Sequence, residues 1–224
     1  MYKKFLIVYN FNNKRGRIMN FKESQTLKNL TRAFAGECMD GAKYQYLADT
    51  AVHKQLSQVS TILKALATNE MAHAKVFYDY ICEKGNNEVE IVEVKSTIPM
   101  HCGDFNSLFK IESDLEQRQA DTVYPAFAKD AEKEGFVDIA RKFMQIAKIE
   151  SCHSRVLAEV GQMINNGSMY ISDYVNLWKC MNCGHEDELK KAWKTCPICS
   201  KNQGYIKINL NGSSEDCFTG NIND

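Results

Sequence analysis

The sequence has no excess of either charge and no long hydrophobic run. Lys plus Arg and Asp plus Glu both number 28, so the formal net charge is zero. Proteins that bind nucleic acid or anionic membranes through their charge carry a basic surplus, which is missing here. The longest apolar run near the start, residues 5–9, is too short for a signal sequence or a membrane span. We therefore expect a soluble, cytoplasmic protein that partners neither nucleic acid nor a membrane.

The sequence also lacks the even set of cysteines that a disulfide framework requires. Nine cysteines are present, and four of them form two C-x-x-C pairs near the C-terminal end. The other five are scattered along the chain: Cys38, Cys82, Cys102, Cys152 and Cys217. Because no export signal is present, reduced thiols together with one metal site explain this pattern better than disulfides do.

The part of the chain with a helical pattern contains two Glu-x-x-His motifs. Glu70 and His73 form the first, and Glu150 and His153 form the second. At about 3.6 residues per turn, positions i and i+3 share one helix face, so each motif offers a carboxylate and an imidazole to one site. A single such pair arises by chance in any helix-rich chain, and the repeat makes the signal specific.

Each motif also has a single glutamate upstream at nearly the same interval. Glu37 lies 33 residues before Glu70, and Glu116 lies 34 residues before Glu150. The chain is therefore interpreted as two similar helix pairs, each supplying a Glu and a Glu-x-x-His. This is the ligand set of a di-metal carboxylate site in a four-helix bundle.

Four inward-facing carboxylates need cations, because glutamate is rarely buried unless it is paired or binds a metal. We expect two metal ions bridged by two of the glutamates, with one imidazole on each ion. Carboxylate and imidazole ligands suit iron, manganese or a mixture of the two. The alternative, solvated charges on ordinary helices, does not account for the repeated spacing.

Two tyrosines share the faces of the upstream glutamates. Tyr44 lies about two helical turns after Glu37, and Tyr124 lies about two turns after Glu116. Each tyrosine either donates a hydrogen bond to a ligand carboxylate or is an aromatic residue of the core.

Changes of pattern divide the chain into five parts. They are an extension (1–19), the four-helix bundle (20–167), a linker (168–177), a small metal-bound domain (178–208) and a disordered tail (209–224). Pro125 lies inside the third helical stretch, so we expect a kink or local irregularity there. Residues 88–104 break the helical period and predict a long crossover, with a short extended segment allowed at 88–94.

The two C-x-x-C pairs predict a tetrahedral site with four thiolate ligands. Their members enclose 12 residues, and they are Cys180, Cys183, Cys196 and Cys199. Four thiolates suit either zinc or a single iron. Spacing alone favours zinc, whereas a neighbouring di-metal redox site favours iron.

Taken together, these motifs resemble the rubrerythrin family. The resemblance covers roughly residues 20–208 and rests on 33–37, 70–73, 124–128, 134–135, 150–153 and the cysteine pairs. It implies an all-α ferritin-like four-helix bundle with two irons, followed by a small rubredoxin-like β domain with one iron. Our candidate catalytic residues are the four glutamates together with Tyr44 and Tyr124.

The resemblance also implies a function, the reduction of hydrogen peroxide to water in oxidative stress defence. Electrons would come from NAD(P)H through rubredoxin or a similar carrier, and the protein would be a homodimer. Two other functions stay open on the sequence. One is a ferroxidase or iron-handling protein, and the other is a zinc-bound scaffold without redox activity.

One candidate ligand departs from the family pattern. Gln119 stands three residues after Glu116, where the family has a further glutamate that exchanges with the histidine matching His73. A neutral amide is a weaker ligand for ferric iron than a carboxylate is. We therefore expect a symmetric set of four glutamates and two histidines, with Gln119 kept as a candidate ligand.

Overall fold

The structure, a computed structural model, describes residues 19–219, and almost all of the predicted N-terminal extension lies outside them. Four helical elements form a bundle: α1 (Gln25–His53), α2 (Ser57–Lys84), the pair α3 (Phe105–Arg118) and α4 (Tyr124–Glu134), and α5 (Val137–Asn166). The first two helices pack against each other, and α5 packs against α3 and α4. The predicted four-helix bundle is confirmed.

The bundle helices begin and end at local sequence signals. The Ser24 side chain accepts a hydrogen bond from the Leu27 backbone N–H and so caps the start of α1. The C-cap of α5 is Gly167 with a φ of 64°, a conformation that glycine adopts without steric cost.

The irregularity predicted at Pro125 is a wide π-helical turn. It spans Gln119–Val123 between α3 and α4, and the Tyr124 backbone N–H donates to the carbonyl of Gln119. Proline has no N–H to give to the preceding turn, so the wider turn rearranges the hydrogen bonds before it. As a result, Gln119 and Tyr124 sit at the two ends of one distorted turn.

The crossover between α2 and α3 contains no regular element. Residues 88–104 adopt neither helix nor strand, so the extended segment allowed at 88–94 does not become part of a sheet. No strand of the described chain lies beside it to supply hydrogen-bond partners, since the two strands pair with each other.

The C-terminal unit is built on a two-stranded antiparallel sheet. Strand β1 (Ile171–Lys179) pairs with β2 (Glu186–Lys191). The strand therefore begins inside the segment predicted as a linker, 168–177. Trp178 is buried in this unit, and its indole N–H donates to the Leu189 carbonyl at 2.9 Å.

Two expectations about the C-terminal part were wrong. The segment predicted as a disordered tail contains α6 (Gly212–Thr219), which packs on α5. In addition, Cys152 and Cys217 form a disulfide between α5 and α6, although both were expected to be reduced thiols. Neither contact is encoded locally, because 65 residues separate the two cysteines.

The bundle core consists of two apolar clusters with a polar layer between them. One cluster contains Leu47, Leu63 and Val160, and the other contains Leu30, Phe77 and Phe143. Each bundle helix contributes to this arrangement with an apolar stretch on either side of its predicted ligands. The ligand positions are thus held at mid-height in the bundle. Among residues 19–219, no helix has the length and apolar character that crossing a membrane requires.

Candidate metal centres

The six predicted glutamate and histidine ligands converge at the middle of the bundle. Their donor atoms form two groups, in each of which all atoms lie within 4.8 Å of one another. All six residues are buried, and Glu150 has no exposed surface at all. The first group consists of Glu37, Glu70, His73 and Glu150, and the second of Glu70, Glu116, Glu150 and His153.

Glu70 and Glu150 belong to both groups, so each of them could serve two metal ions. The His73 Nδ1 atom lies 3.1 Å from Glu70 Oε2 and 3.0 Å from Glu150 Oε1. The His153 Nδ1 atom lies 2.8 Å from Glu70 Oε1 and 2.9 Å from Glu150 Oε2. Each of these two carboxylates thus points one oxygen at each imidazole, which is the symmetric arrangement.

Several buried atoms of this cluster lie close to one another but form no well-aligned hydrogen bond. They are Glu70 Oε1, both carboxylate oxygens of Glu150, and His153 Nδ1. Buried polar atoms are normally satisfied, and a buried carboxylate without a partner is costly. Cations between these atoms would satisfy all of them, and carboxylate with imidazole is a donor set that iron accepts. The residues therefore fit a di-metal centre.

The buried carboxylates of the cluster have strongly shifted pKa values. Burial, followed by the charge of Glu150, raises the pKa of Glu37 well above its usual value, and burial with the charge of Glu70 does the same for Glu116. Burial also disfavours ionised Glu70, but the charge of His153 outweighs this effect, so the pKa of Glu70 is lowered. The cluster thus shares protons where a metal centre would hold cations.

The two histidines are held in their charged form by the same carboxylates. Burial lowers the pKa of His73, but the neighbouring carboxylates of Glu150, Glu37 and Glu70 raise it to about 12. Burial likewise lowers the pKa of His153, and the charge of Glu70 raises it to about 9.

Both predicted tyrosines contact ligand carboxylates, and they do so across the bundle. The Tyr44 hydroxyl on α1 donates to Glu116 on α3, and the Tyr124 hydroxyl on α4 donates to Glu37 on α1. Both rings are also buried in the core, so each tyrosine contacts a carboxylate and packs against apolar neighbours. Each tyrosine therefore fixes the glutamate that belongs to the other half of the bundle.

Gln119 contacts an aspartate that the sequence interpretation did not include. Its side-chain amide donates to Asp40 Oδ2 at 2.9 Å. Asp40 is buried, and its other oxygen lies 2.7 Å from Lys43 Nζ, which also contacts the buried Glu112 at 2.6 Å. Burial raises the pKa of Asp40. The signal for Asp40 was its position three residues after Glu37, on the same helix face.

Asn69 is a second residue that was missed. Its side-chain amide lies 3.3 Å from His153 Nε2, the ring nitrogen that faces away from the carboxylates. A partner on the second nitrogen orients a histidine ligand and selects its tautomer. Asn69 directly precedes Glu70 in the sequence, but nothing local relates it to α5.

A cavity of about 290 Å³ lies beside the cluster. The crossover covers it with Ile98 and Pro99, and its inner wall includes Asp40, Gln119 and Tyr124. Because Tyr124 contacts Glu37 directly, the cavity ends one side chain away from the predicted ligands.

The four predicted thiolate ligands also come together, in the C-terminal unit. Their sulfur atoms lie within 4.8 Å of one another, and two of the separations are 3.7 Å, between Cys180 and Cys199 and between Cys183 and Cys196. Cys183 is exposed, whereas Cys180 and Cys196 are buried. The backbone N–H of Lys201 lowers the pKa of Cys199 to about 6. The donor set fits one tetrahedral metal ion.

Known proteins are similar to this chain over most of its length. The family model for rubrerythrin matches residues 28–160 and 109–176. Rubrerythrin from Clostridium perfringens (strain 13 / Type A) is 34% identical over 190 residues, which cover 84% of this chain and 96% of that protein. Rubrerythrin from Nitratidesulfovibrio vulgaris is 29% identical over 189 residues, with 84% and 96% covered.

Solved structures share the fold. Nigerythrin in a partially reduced state superposes with a TM-score of 0.55 at 23% identity, covering 93% of this chain and 100% of that one. Bacterioferritin from Desulfovibrio desulfuricans gives a TM-score of 0.58 at 22% identity, covering 66% of this chain and 84% of that one. At these identities the likeness concerns the architecture of the bundle.

Proposed function

The chain belongs to the rubrerythrin family, and on that premise we propose which of its residues carry out the reduction of hydrogen peroxide. It is a di-iron oxidative stress protein with the peroxidase activity of its family, and its relatives do not favour iron handling or a zinc scaffold. The observation that carries the assignment is the pair of buried donor groups that share Glu70 and Glu150.

We assign the ligands by these groups. Glu37 and His73 would hold one iron, Glu116 and His153 would hold the other, and Glu70 and Glu150 would serve both. When bound, the two irons supply the two electrons that reduce hydrogen peroxide to two molecules of water. Gln119 is engaged with Asp40, so the proposed ligand set is the symmetric one, without Gln119.

The surrounding side chains prepare the site. Tyr44 and Tyr124 donate hydrogen bonds to the two glutamates that belong to one donor group only, Glu116 and Glu37. Both hydroxyls are neutral, because burial raises the pKa of both phenols well above the usual value. The cavity under the crossover is the proposed entry for peroxide, and the Asp40–Gln119 hydrogen bond forms its polar inner wall. The lining of this cavity also includes apolar side chains such as Ile98 and Phe127.

The Cys180, Cys183, Cys196 and Cys199 site is proposed to hold one iron that returns electrons to the bundle. Its unit packs on the turn between α1 and α2, where Gly204 leaves room for the Gln55 carbonyl. Between Ser57 and Glu70, α2 rises about 20 Å at about 1.5 Å per residue. We therefore propose a homodimer in which a second copy brings its own four-cysteine unit closer to the carboxylates.

We propose NAD(P)H as the source of electrons and rubredoxin or a similar carrier as the direct donor, as the family resemblance implies. The exposed Cys183 gives such a carrier a point of approach to the thiolate site.

Anaerobic stopped-flow spectroscopy tests the assignment. Fully reduced, iron-loaded protein is mixed with stoichiometric hydrogen peroxide, and we expect fast oxidation of the bundle irons followed by the red absorbance of the ferric thiolate site. Glu70→Ala and the isosteric Glu70→Gln should both abolish the fast phase, since each removes a bridging carboxylate. Glu90→Ala, an exposed glutamate of the crossover, is the matched control. Full turnover in both Glu70 variants would refute the assignment.

A further inference from the structure

A second pair of redox-active groups lies outside both metal centres. Cys152 is buried on α5, between the ligands Glu150 and His153, and Cys217 lies on α6. They form a disulfide with their Cα atoms 5.8 Å apart, inside the usual range for this bond. In the described part of the chain, the other cysteines outside the thiolate site, Cys38, Cys82 and Cys102, are free thiols.

Noncovalent contacts also connect the surroundings of Cys152 on α5 with the segment that carries Cys217. The Arg155 guanidinium lies 3.3 Å from the Cys152 sulfur and 3.8 Å from the Cys217 sulfur. Before α6, the Asn211 backbone N–H donates to the Glu159 carboxylate on α5 at 2.7 Å. Ser214 of α6 is buried as well. Noncovalent contacts thus place Cys217 beside Cys152, so the two thiols of the reduced protein stay close enough to react.

We propose that Cys152 and Cys217 are a peroxide-oxidised thiol pair, whose disulfide fastens the C-terminal helix to the ligand-bearing helix α5. One sulfur attacks a peroxide oxygen, the O–O bond breaks, and a sulfenic acid forms with release of water. The second sulfur then attacks the sulfenic sulfur and releases a second water. Two thiols and one hydrogen peroxide thus give one disulfide and two waters, with both electrons coming from sulfur.

The disulfide encloses the thiolate unit because of where its two cysteines lie in the sequence. All four thiolate ligands lie between Cys152 and Cys217 in the sequence. The disulfide therefore closes a covalent loop that contains the whole thiolate unit, and it anchors the end of that unit to the bundle. In the reduced protein, α6 is held only by noncovalent contacts such as the Asn211–Glu159 hydrogen bond. Oxidation thus restricts how far the thiolate unit moves away from the bundle.

The test follows the thiols while peroxide is added to reduced, iron-loaded protein. The protein is treated with a thiol reductant, desalted anaerobically and titrated with hydrogen peroxide, and each sample is alkylated and digested for mass spectrometry. We expect the first equivalents to oxidise iron and further equivalents to produce the Cys152–Cys217 cross-linked peptide. Cys102, which is exposed and has no sulfur partner, should remain alkylated. A thiol reductant should restore both alkylated peptides in the folded protein.

Variants and amide exchange complete the test. Cys217→Ser should form no cross-linked peptide and no intramolecular disulfide of Cys152 at any peroxide concentration, and Cys102→Ser should behave as the natural sequence does. Hydrogen exchange of residues 212–219 should become slower on oxidation in the natural sequence but not in Cys217→Ser. The proposal is overturned if the pair stays alkylated while Cys102 oxidises, or if it resists the reductant in the folded protein. Iron oxidation is followed in the same samples, so a failure of the peroxidase assignment is seen separately.

Discussion

At the scale of single residues, the two tyrosines organise the carboxylates. Tyr44 donates to Glu116 and Tyr124 donates to Glu37, each across the bundle. Burial raises the pKa of both phenols, so both hydroxyls are neutral donors. A neutral donor fixes the direction of a carboxylate without competing for its charge. The tyrosines therefore determine how Glu37 and Glu116 face the metal positions.

Removing one of these hydroxyls should weaken metal binding. Tyr124→Phe keeps the ring in the core but leaves Glu37 without its donor, and losing such an outer contact lowers metal affinity by about 10- to 100-fold. Competition with a chelator under anaerobic conditions measures the affinity. Tyr46→Phe, whose ring is largely exposed, is the matched control. Unchanged affinity in Tyr124→Phe would show that the tyrosine serves packing alone.

Metal binding should also release protons. The pKa values of His73 and His153, at about 12 and about 9, mean that both imidazoles are protonated at pH 7 in the metal-free protein, and burial shifts the pKa values of Glu37 and Glu116 upward as well. Ligands must be deprotonated to bind, so lower pH favours the metal-free form and affinity rises with pH. Ferrous iron added in weakly buffered anaerobic solution should acidify it. His53→Gln, at an exposed site, should release the same amount; proton-neutral binding would contradict the prediction.

At the scale of elements, the end of one helix caps the start of another. The Glu134 carboxylate at the end of α4 accepts hydrogen bonds from the backbone N–H groups of Gln25 and Thr26, each at 2.8 Å, and from the Thr26 hydroxyl at 2.6 Å. A negative charge at a helix N-terminus is stabilising, since the first N–H groups have no partner within the helix. The turn between α4 and α5 is therefore tied to α1.

Loss of this cap should destabilise the bundle. Glu134→Ala removes a charged acceptor from the start of α1, and hydrogen bonds to charged groups contribute about 1.5–3 kcal/mol. Denaturant unfolding of the metal-free protein measures the change in free energy of unfolding. Glu132→Ala, an exposed glutamate on the same helix, should stay within about 0.5 kcal/mol of the natural sequence. Equal effects of the two substitutions would rule out a capping role.

At the scale of the whole molecule, two metal centres of different chemistry sit in two separately built units. The carboxylate centre lies at mid-height in the bundle, between two apolar clusters. The thiolate centre belongs to the unit that contains β1 and β2 and packs at the α1–α2 turn. Since no ligand is shared, each centre can be removed without dismantling the other.

Because the centres are separate, a variant of the thiolate site should lose electron delivery but keep the reaction of the bundle irons with peroxide. Cys199→Ser should lose the red absorbance and the steady-state turnover with an external electron donor. The reduced bundle irons should still be oxidised by peroxide in a single turnover, because their ligands are untouched. Cys102→Ser is the control, as this exposed cysteine lies outside the thiolate site. Normal steady-state turnover in Cys199→Ser would show that electrons bypass the thiolate centre.

The sequence by itself determined the features that repeat within one element. The i, i+3 pairs of Glu70 with His73 and Glu150 with His153 follow from helical geometry, and the C-x-x-C spacing follows from tetrahedral ligation. Pro125 predicted an irregular turn because it lacks an N–H. These inferences succeed since the interacting residues are neighbours in the chain or share one helix face.

Only the tertiary structure decided which distant residues meet. The crossed contacts of Tyr44 and Tyr124, the Asp40–Gln119 hydrogen bond and the cap by Glu134 depend on how each helix is rotated and packed. The same holds for Cys152 and Cys217, which the sequence left as unrelated thiols. Helical periodicity defines the face of a residue but not its partner, because the partner is selected by packing between segments far apart in the chain.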